Sequence, residues 1–274
     1  NVEIGWVGGA YFIGYVAATP FLVGLTDSID AKRIFIGGSL ATATGSAVFA
    51  LFAEGFWSAA LTWSIVGAGL AGTYMPGLQI LNARLDDSAR VRAVPWYTAC
   101  FGIGTGGSFA VMGVVLAYAD YRLAALIGSG GAFIAAFLIL FFVRPHALQS
   151  FSGPQKKRHP LDLRPAFQKP VALGYIFAYG AHTYELFAYR TWSFALLIFL
   201  AGQADGALGI GAVTTIVSLI TVTGLLASLI GAHICLAYGR HRIITLIGAA
   251  AFGMSCFAAF GLDGPIWFAI AGLW

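Results

Sequence analysis

The stretch from Arg144 to Pro170 reads RPHALQSFSGPQKKRHPLDLRPAFQKP and separates two long apolar regions. It carries six lysine and arginine residues and five prolines, and it lacks the apolar runs that fill the chain on either side. A segment of this composition belongs in water. It therefore predicts two similar halves, residues 1–143 and 171–274, joined by a basic connection at 144–170.

The rest of the chain is too apolar for a water-soluble domain. Only 9% of its 274 residues are charged and 59% are hydrophobic, whereas about a quarter of the residues in a soluble domain are charged. The formal net charge of +4 does not indicate a nucleic-acid partner, because the basic residues fall in particular loops. The composition predicts a protein whose main partner is the lipid bilayer.

Runs of about 20 apolar residues cross a bilayer as helices, because hydrocarbon offers no partner to open backbone groups. The sequence predicts an all-α, polytopic membrane bundle with nine such segments, the last too short to span. They are Ile4 to Leu25, Ile34 to Ala53, Phe56 to Leu81, Val94 to Ala119, Leu123 to Val143, Val171 to Ala201, Ala207 to Tyr238, Ile243 to Leu262 and Pro265 to Trp274.

The basic residues lie in every second loop. The loops at 26–33, 84–92, 144–170 and 239–242 hold two, three, six and two of the fifteen lysine and arginine residues. Cytoplasmic loops of membrane proteins are enriched in Lys and Arg. We therefore expect these four loops to be cytoplasmic, in a protein of the cytoplasmic (inner) membrane.

The same alternation places residue 1 outside, although no signal peptide is visible there. The ninth segment is also shorter than a complete span. From these two features the sequence predicts a fragment, with at least one helix before it and more after it.

Two loops share a pattern. The first contains Asp27, Lys32 and Arg33 just before an apolar segment, and the second contains Gly239, Arg240 and Arg242 in the same setting. Arg33 and Arg242 are 209 residues apart, a spacing typical of two repeated helical halves. With the long basic connection and the loop alternation, this pattern resembles the major facilitator superfamily of secondary transporters.

The resemblance implies that residues 1–143 correspond to about helices 2 to 6 of twelve, and that 171–274 run from about helix 7 to part of helix 10. It also implies a cytoplasmic gate formed by the six residues of the two loops. By the same resemblance, Tyr74 and Gln79 on the third segment line a central cavity; their other role would be hydrogen bonding between helices.

A polar stripe runs along the sixth segment. At 100° per residue, Glu185 and Tyr189 fall about 60° and 20° from His182, so the three share one face. Glu185 lies about 21 Å from Val171, too deep to reach water along the helix, and a buried charge of this kind usually has a function. Arg190, about 29 Å in, either anchors at the outer interface or binds an anionic solute.

These features predict a secondary active transporter, not an enzyme. It would move a small solute, anionic if Arg190 binds it, by alternating access, as a monomer and a proton symporter. Glu185 and His182 would carry protons or orient the solute. The five histidines are scattered and the three cysteines lie far apart, so no catalytic residue, metal site or cofactor is predicted. The alternatives are a transporter-like membrane sensor and an integral-membrane enzyme.

Overall fold

The structure is a computed structural model that describes residues 2–146, 167–203, 209–260 and 266–273. These residues form ten α-helices and no strand, which confirms the all-α prediction for the described part. The central basic stretch is described only at its ends, 144–146 and 167–170. The helices are α1 (Val2–Leu25), α2 (Ala31–Phe52), α3 (Phe56–Ala71), α4 (Tyr74–Arg84), α5 (Asp87–Tyr118), α6 (Tyr121–Phe142), α7 (Pro170–Gln203), α8 (Ile210–Tyr238), α9 (Arg240–Phe260) and α10 (Ile266–Leu273).

The apolar segments determine where the helices run. In the part of the chain that the structure describes, α1, α2, α5 and α6 are each long and apolar enough to cross a membrane. Shorter apolar stretches cover 210–224 in α8 and 242–257 in α9. Polar residues mark the ends: the Asp120 carboxylate accepts hydrogen bonds from the backbone N–H groups of Arg122 and Leu123 and so starts α6.

The third predicted segment is one continuous span in sequence but two helices in the structure. α3 ends at Ala71 and α4 begins at Tyr74, with Gly72 and Thr73 between them. Pro76 explains the break, because it has no N–H to offer the carbonyl four residues earlier and its ring crowds that carbonyl. The carbonyl concerned is that of Gly72.

The helices form two compact units, each described separately. Among the described residues, one unit contains 2–94 and 119–146, and the other contains 95–118, 167–203, 209–260 and 266–273. Most of α5 therefore belongs with the second unit by packing, although it precedes the central basic stretch. The predicted halves, 1–143 and 171–274, concern the repeat in the sequence and not these packing units, and they stay a prediction.

Glycines set the helix spacing in the first unit. There α1 packs on α3, α3 on α2, and α2 on α6. A Cβ at Gly14 would overlap the backbone carbonyl of Ser64, and one at Gly67 would overlap that of Tyr11. The α1 and α3 backbones thus touch at two points, an approach that only residues without side chains permit.

The second unit uses similar contacts. The backbone of α5 approaches α8 closely, since a Cβ at Gly106 would crowd Val222 and one at Gly113 would crowd Thr214. The Ser218 hydroxyl also donates a 2.7 Å hydrogen bond to the Gly106 carbonyl. The last turns of α7 pack on the first turns of α8 through a core that includes Leu197, Leu200, Ala201, Val213 and Val217.

Replacing Gly14 by alanine should destabilise the first unit by about 1–3 kcal/mol, the usual cost of overpacking. The matched control is Gly9→Ala in the same helix, where a new Cβ meets nothing within 4 Å. Alanine favours a helix by about 1 kcal/mol over glycine, so the control should be neutral or stabilising. Thermal unfolding of the purified variants measures both, and equal melting temperatures would contradict the close α1–α3 contact.

Candidate functional site

A cluster of charged groups lies at one end of the first unit, where the loop between α1 and α2 meets the last turns of α4 and α6. Asp30 is at its centre. Its carboxylate accepts hydrogen bonds from Arg84 Nη2 to both oxygens at 3.0 Å, from the His146 backbone N–H at 2.9 Å and from the Lys32 backbone N–H at 3.1 Å. One carboxylate therefore starts α2 and also holds α4 and the residues after α6.

The two cations of the cluster bind one carbonyl in the last turn of α6 and one just after that helix. Lys32 is 8% exposed, and its Nζ donates to the Leu140 carbonyl at 2.8 Å. Arg84 Nε donates to the Arg144 carbonyl at 3.1 Å. The last carbonyls of a helix have no partner within the helix and carry partial negative charge, so cations are favourable there. We call Asp30, Lys32 and Arg84 the charged cluster.

The charged cluster favours the ionised form of Asp30. Partial burial raises the pKa of its carboxyl, but the His146 and Lys32 N–H groups and the Arg84 guanidinium outweigh this effect and hold the pKa below its ordinary value of 3.8. The side chains of Arg84 and Asp30 are only 17% and 13% exposed. The pair is therefore shielded from solvent, where an exposed ion pair would contribute little.

The structure separates the residues of the predicted gate. Of the first loop, Lys32 belongs to the charged cluster, whereas Asp27 and Arg33 are exposed. In the second loop, Gly239 has φ of 92°, a conformation that favours glycine, and its N–H donates to the Cys235 carbonyl at the end of α8.

The remaining two residues of that loop lie at the start of α9. Arg242 is exposed there, and the side chain of Arg240 is outside the described residues. Each loop belongs to a different compact unit. The gate that these six residues would form stays a prediction.

Sequence reasoning missed Asp30 and Arg84. In the first loop the sequence pattern singles out Asp27, Lys32 and Arg33 and gives no role to Asp30. Two signals could have found the pair. An aspartate directly before an apolar helix is a preferred N-cap residue, and a basic residue in the last turn of a helix, as at Arg84 in α4, is placed to bind nearby carbonyls or carboxylates.

The polar stripe on α7 is the second candidate site. His182 Nδ1 lies 3.7 Å from Glu185 Oε2, and the two side chains are 67% and 60% exposed. They are one helical turn apart in the middle of a 34-residue helix. The structure thus brings the predicted acid and histidine together and leaves both open on the surface of the second unit.

The other predicted site residues are distributed as follows. Tyr189 is half-buried on α7, and the side chain of Arg190 lies outside the described residues. Tyr74 and Gln79 are half-buried on α4, which belongs to the first unit. The structure therefore supplies one close His–Glu pair on α7 and two polar side chains on α4, in separate units. Among the described residues, no group of three His, Cys, Asp or Glu side chains could hold a metal ion.

Helices long and apolar enough to cross a membrane, a charged cluster at helix ends and a His–Glu pair exposed in mid-helix are the features of a multi-pass α-helical membrane protein. The chain belongs to the Major Facilitator Superfamily, whose family model matches residues 1–274. Members of this family are transporters, so the protein is a transporter of the secondary type. Among curated proteins, none matches this sequence.

Replacing Asp30 by asparagine should lower the free energy of unfolding of the first unit by about 2 kcal/mol, the usual contribution of hydrogen bonds to a charged group. The matched control is Asp27→Asn in the same loop, which removes the same charge from an exposed position. Chemical or thermal unfolding of the two variants compares them. A control that is as destabilised as Asp30→Asn would contradict the central position of Asp30.

The contribution of Asp30 should also depend on pH. Because its pKa is lower in the folded protein than the ordinary 3.8, its stabilisation is fully present above pH 3.8 and is lost as the pH falls below that value. The difference in melting temperature between wild type and Asp30→Asn should therefore be constant from pH 5 to 7 and shrink below pH 3.8. If the difference in melting temperature instead became smaller as the pH rises from 5 to 7, the lowered pKa of Asp30 would be contradicted.

Proposed function

We propose that this protein is a proton-coupled secondary transporter that moves a small solute across the cytoplasmic membrane by alternating access, as a monomer and in symport. Its family membership supports transport in general. The observation that supports proton coupling is the His182–Glu185 pair, 3.7 Å apart and exposed in the middle of α7.

The position of this pair requires a function or a partner. A charged side chain at the centre of a bilayer costs about 2.5–3.5 kcal/mol on insertion scales. Glu185 lies about 21 Å from Val171 along α7, so its carboxylate cannot reach the interface. In a transporter the side chains that remain exposed at this depth face a water-filled cavity.

The chemistry of the pair suits a proton carrier. An imidazole and a carboxylate can each bind and release one proton. A proton entering from one side is held by the pair, and it leaves when the cavity opens to the other side. Arg190, five residues further along α7, would add a positive charge that favours a solute carrying a carboxylate.

The charged cluster would act as a mechanical support. It joins the loop between α1 and α2 to the ends of α4 and α6, so these elements of the first unit would move as one body during the transport cycle. The cytoplasmic gate would be formed by six residues of the two loops, with Lys32 serving both the gate and the cluster: Asp27, Lys32, Arg33, Gly239, Arg240 and Arg242. The four basic loops would face the cytoplasm.

Replacing Glu185 by glutamine should abolish accumulation driven by a pH gradient, because the amide cannot take up a proton. The matched control is Glu54→Gln, the same change at an exposed position between α2 and α3. In proteoliposomes, a panel of labelled monocarboxylates, dicarboxylates, amino acids and sugars first identifies a solute that the wild type accumulates. Accumulation by Glu185→Gln at the wild-type rate would remove Glu185 from the mechanism.

A further inference from the structure

The polar stripe on α7 is longer than its sequence-predicted part. At 100° per residue, Tyr175 and Tyr179 fall about 20° and 60° from His182, on the face that also carries Glu185 and Tyr189. The five side chains follow one another at steps of four, three, three and four residues. Residues three or four apart are neighbours on a helix surface, with Cβ atoms about 5–6 Å apart. The stripe is therefore continuous over about 21 Å.

The two added tyrosines are open in the second unit. Tyr175 is 76% and Tyr179 is 60% exposed. The packing of α7 explains this exposure, because its contacts with α8 are made through Leu197, Leu200 and Ala201 in its last turns. The first turns of α7 therefore leave the side chains of Tyr175 and Tyr179 largely exposed.

Few ionisable groups lie on the elements that pack against α7. The described ones on α8 are near its end, α10 has none among its described residues, and the α5 portion of the second unit contributes three. They are His233, Cys235 and Tyr238 on α8, and Tyr97, Cys100 and Tyr118 on α5. Glu185 is thus the one carboxylate among the described side chains of these elements and of α7.

A tyrosine hydroxyl can pass a proton without ionising. It accepts a hydrogen bond from one neighbour and donates its own proton to the next. Water can bridge neighbours that do not touch. When a proton leaves the His182–Glu185 pair, each hydroxyl gains one proton and gives one up. The pair then loses one proton, the aqueous phase at the other end gains one, and the tyrosines end neutral.

We propose that Tyr175 and Tyr179 form a proton relay between the His182–Glu185 pair and the end of α7 at Pro170. This inference rests on the proposed function, in which that pair carries the coupled proton. The relay connects the pair with the α7 end that follows the central basic stretch, which is the cytoplasmic end in the proposed orientation. The tyrosines are positioning residues for proton transfer and need not touch the solute.

The test removes the two hydroxyl groups and keeps the rings. The variant Tyr175→Phe/Tyr179→Phe should accumulate the panel solute on the order of tenfold more slowly under a pH gradient, since positioned proton-transfer groups typically contribute 10²–10⁴-fold and water replaces part of this. The slowing should be greater in D₂O. Solute counterflow at equal pH on both sides, which needs no net proton release, should be unchanged.

The matched control is Tyr184→Phe. Tyr184 is 79% exposed on the same helix, but it lies about 160° from His182, on the opposite face. This variant should match the wild type in accumulation and in counterflow. A control slowed as much as the double variant would show that loss of any α7 tyrosine hydroxyl slows the protein, which would overturn the relay.

The remaining outcomes separate the relay from the proposed function. If Glu185→Gln abolishes accumulation while the double tyrosine variant behaves as wild type, the relay is overturned and the proposed function stands. If counterflow falls together with accumulation in the double variant, the tyrosines bind solute or support the fold, and the relay is again overturned. If Glu185→Gln accumulates normally, the proposed function fails and the relay fails with it.

Discussion

The inability of hydrocarbon to hydrogen-bond the polypeptide backbone is the constraint on which the rest of the structure depends. It requires each spanning segment to be a helix, and it leaves side-chain polar groups to find partners inside the protein. The Ser129 hydroxyl donates to the Ala43 carbonyl at 2.7 Å between α6 and α2, and Ser218 does the same for Gly106 in the second unit. Small residues bring the backbones close enough for such bonds.

The same constraint explains why the charged groups fall into two kinds of place. At helix ends, charges satisfy open backbone groups, as Lys32 does for the Leu140 carbonyl in the last turn of α6 and Arg84 does for the Arg144 carbonyl just after it. In mid-helix, no backbone group needs them, so the exposed pair of His182 and Glu185 has no structural explanation among the described residues. The charges at helix ends stabilise the fold, and for the His182–Glu185 pair we propose a role in proton transport.

The sequence predicted most helices correctly because a long run of apolar residues is a strong signal for a membrane helix. The prediction was wrong where a local feature interrupts such a run. The third segment is long enough to read as one continuous span, yet Pro76 divides it at Gly72 and Thr73. The Asp30–Arg84 contact joins residues 54 positions apart, and no pattern in a single sequence specifies such a pairing. His182 and Glu185 were predicted together because one helical turn fixes their separation. Tyr175 and Tyr179, on the two preceding turns of the same face, were not predicted.

Membrane topology tests the central claim most directly. With the three native cysteines replaced by serine, single cysteines are introduced at exposed loop positions as Ser28→Cys and Ser88→Cys in two basic loops, and as Glu54→Cys and Ala119→Cys in the intervening loops. A membrane-impermeant thiol reagent is then added to intact cells. The account predicts labelling at 54 and 119 at once, and at 28 and 88 only after permeabilisation. Labelling of 28 and 54 from the same side would contradict it, because α2 would then not cross the membrane.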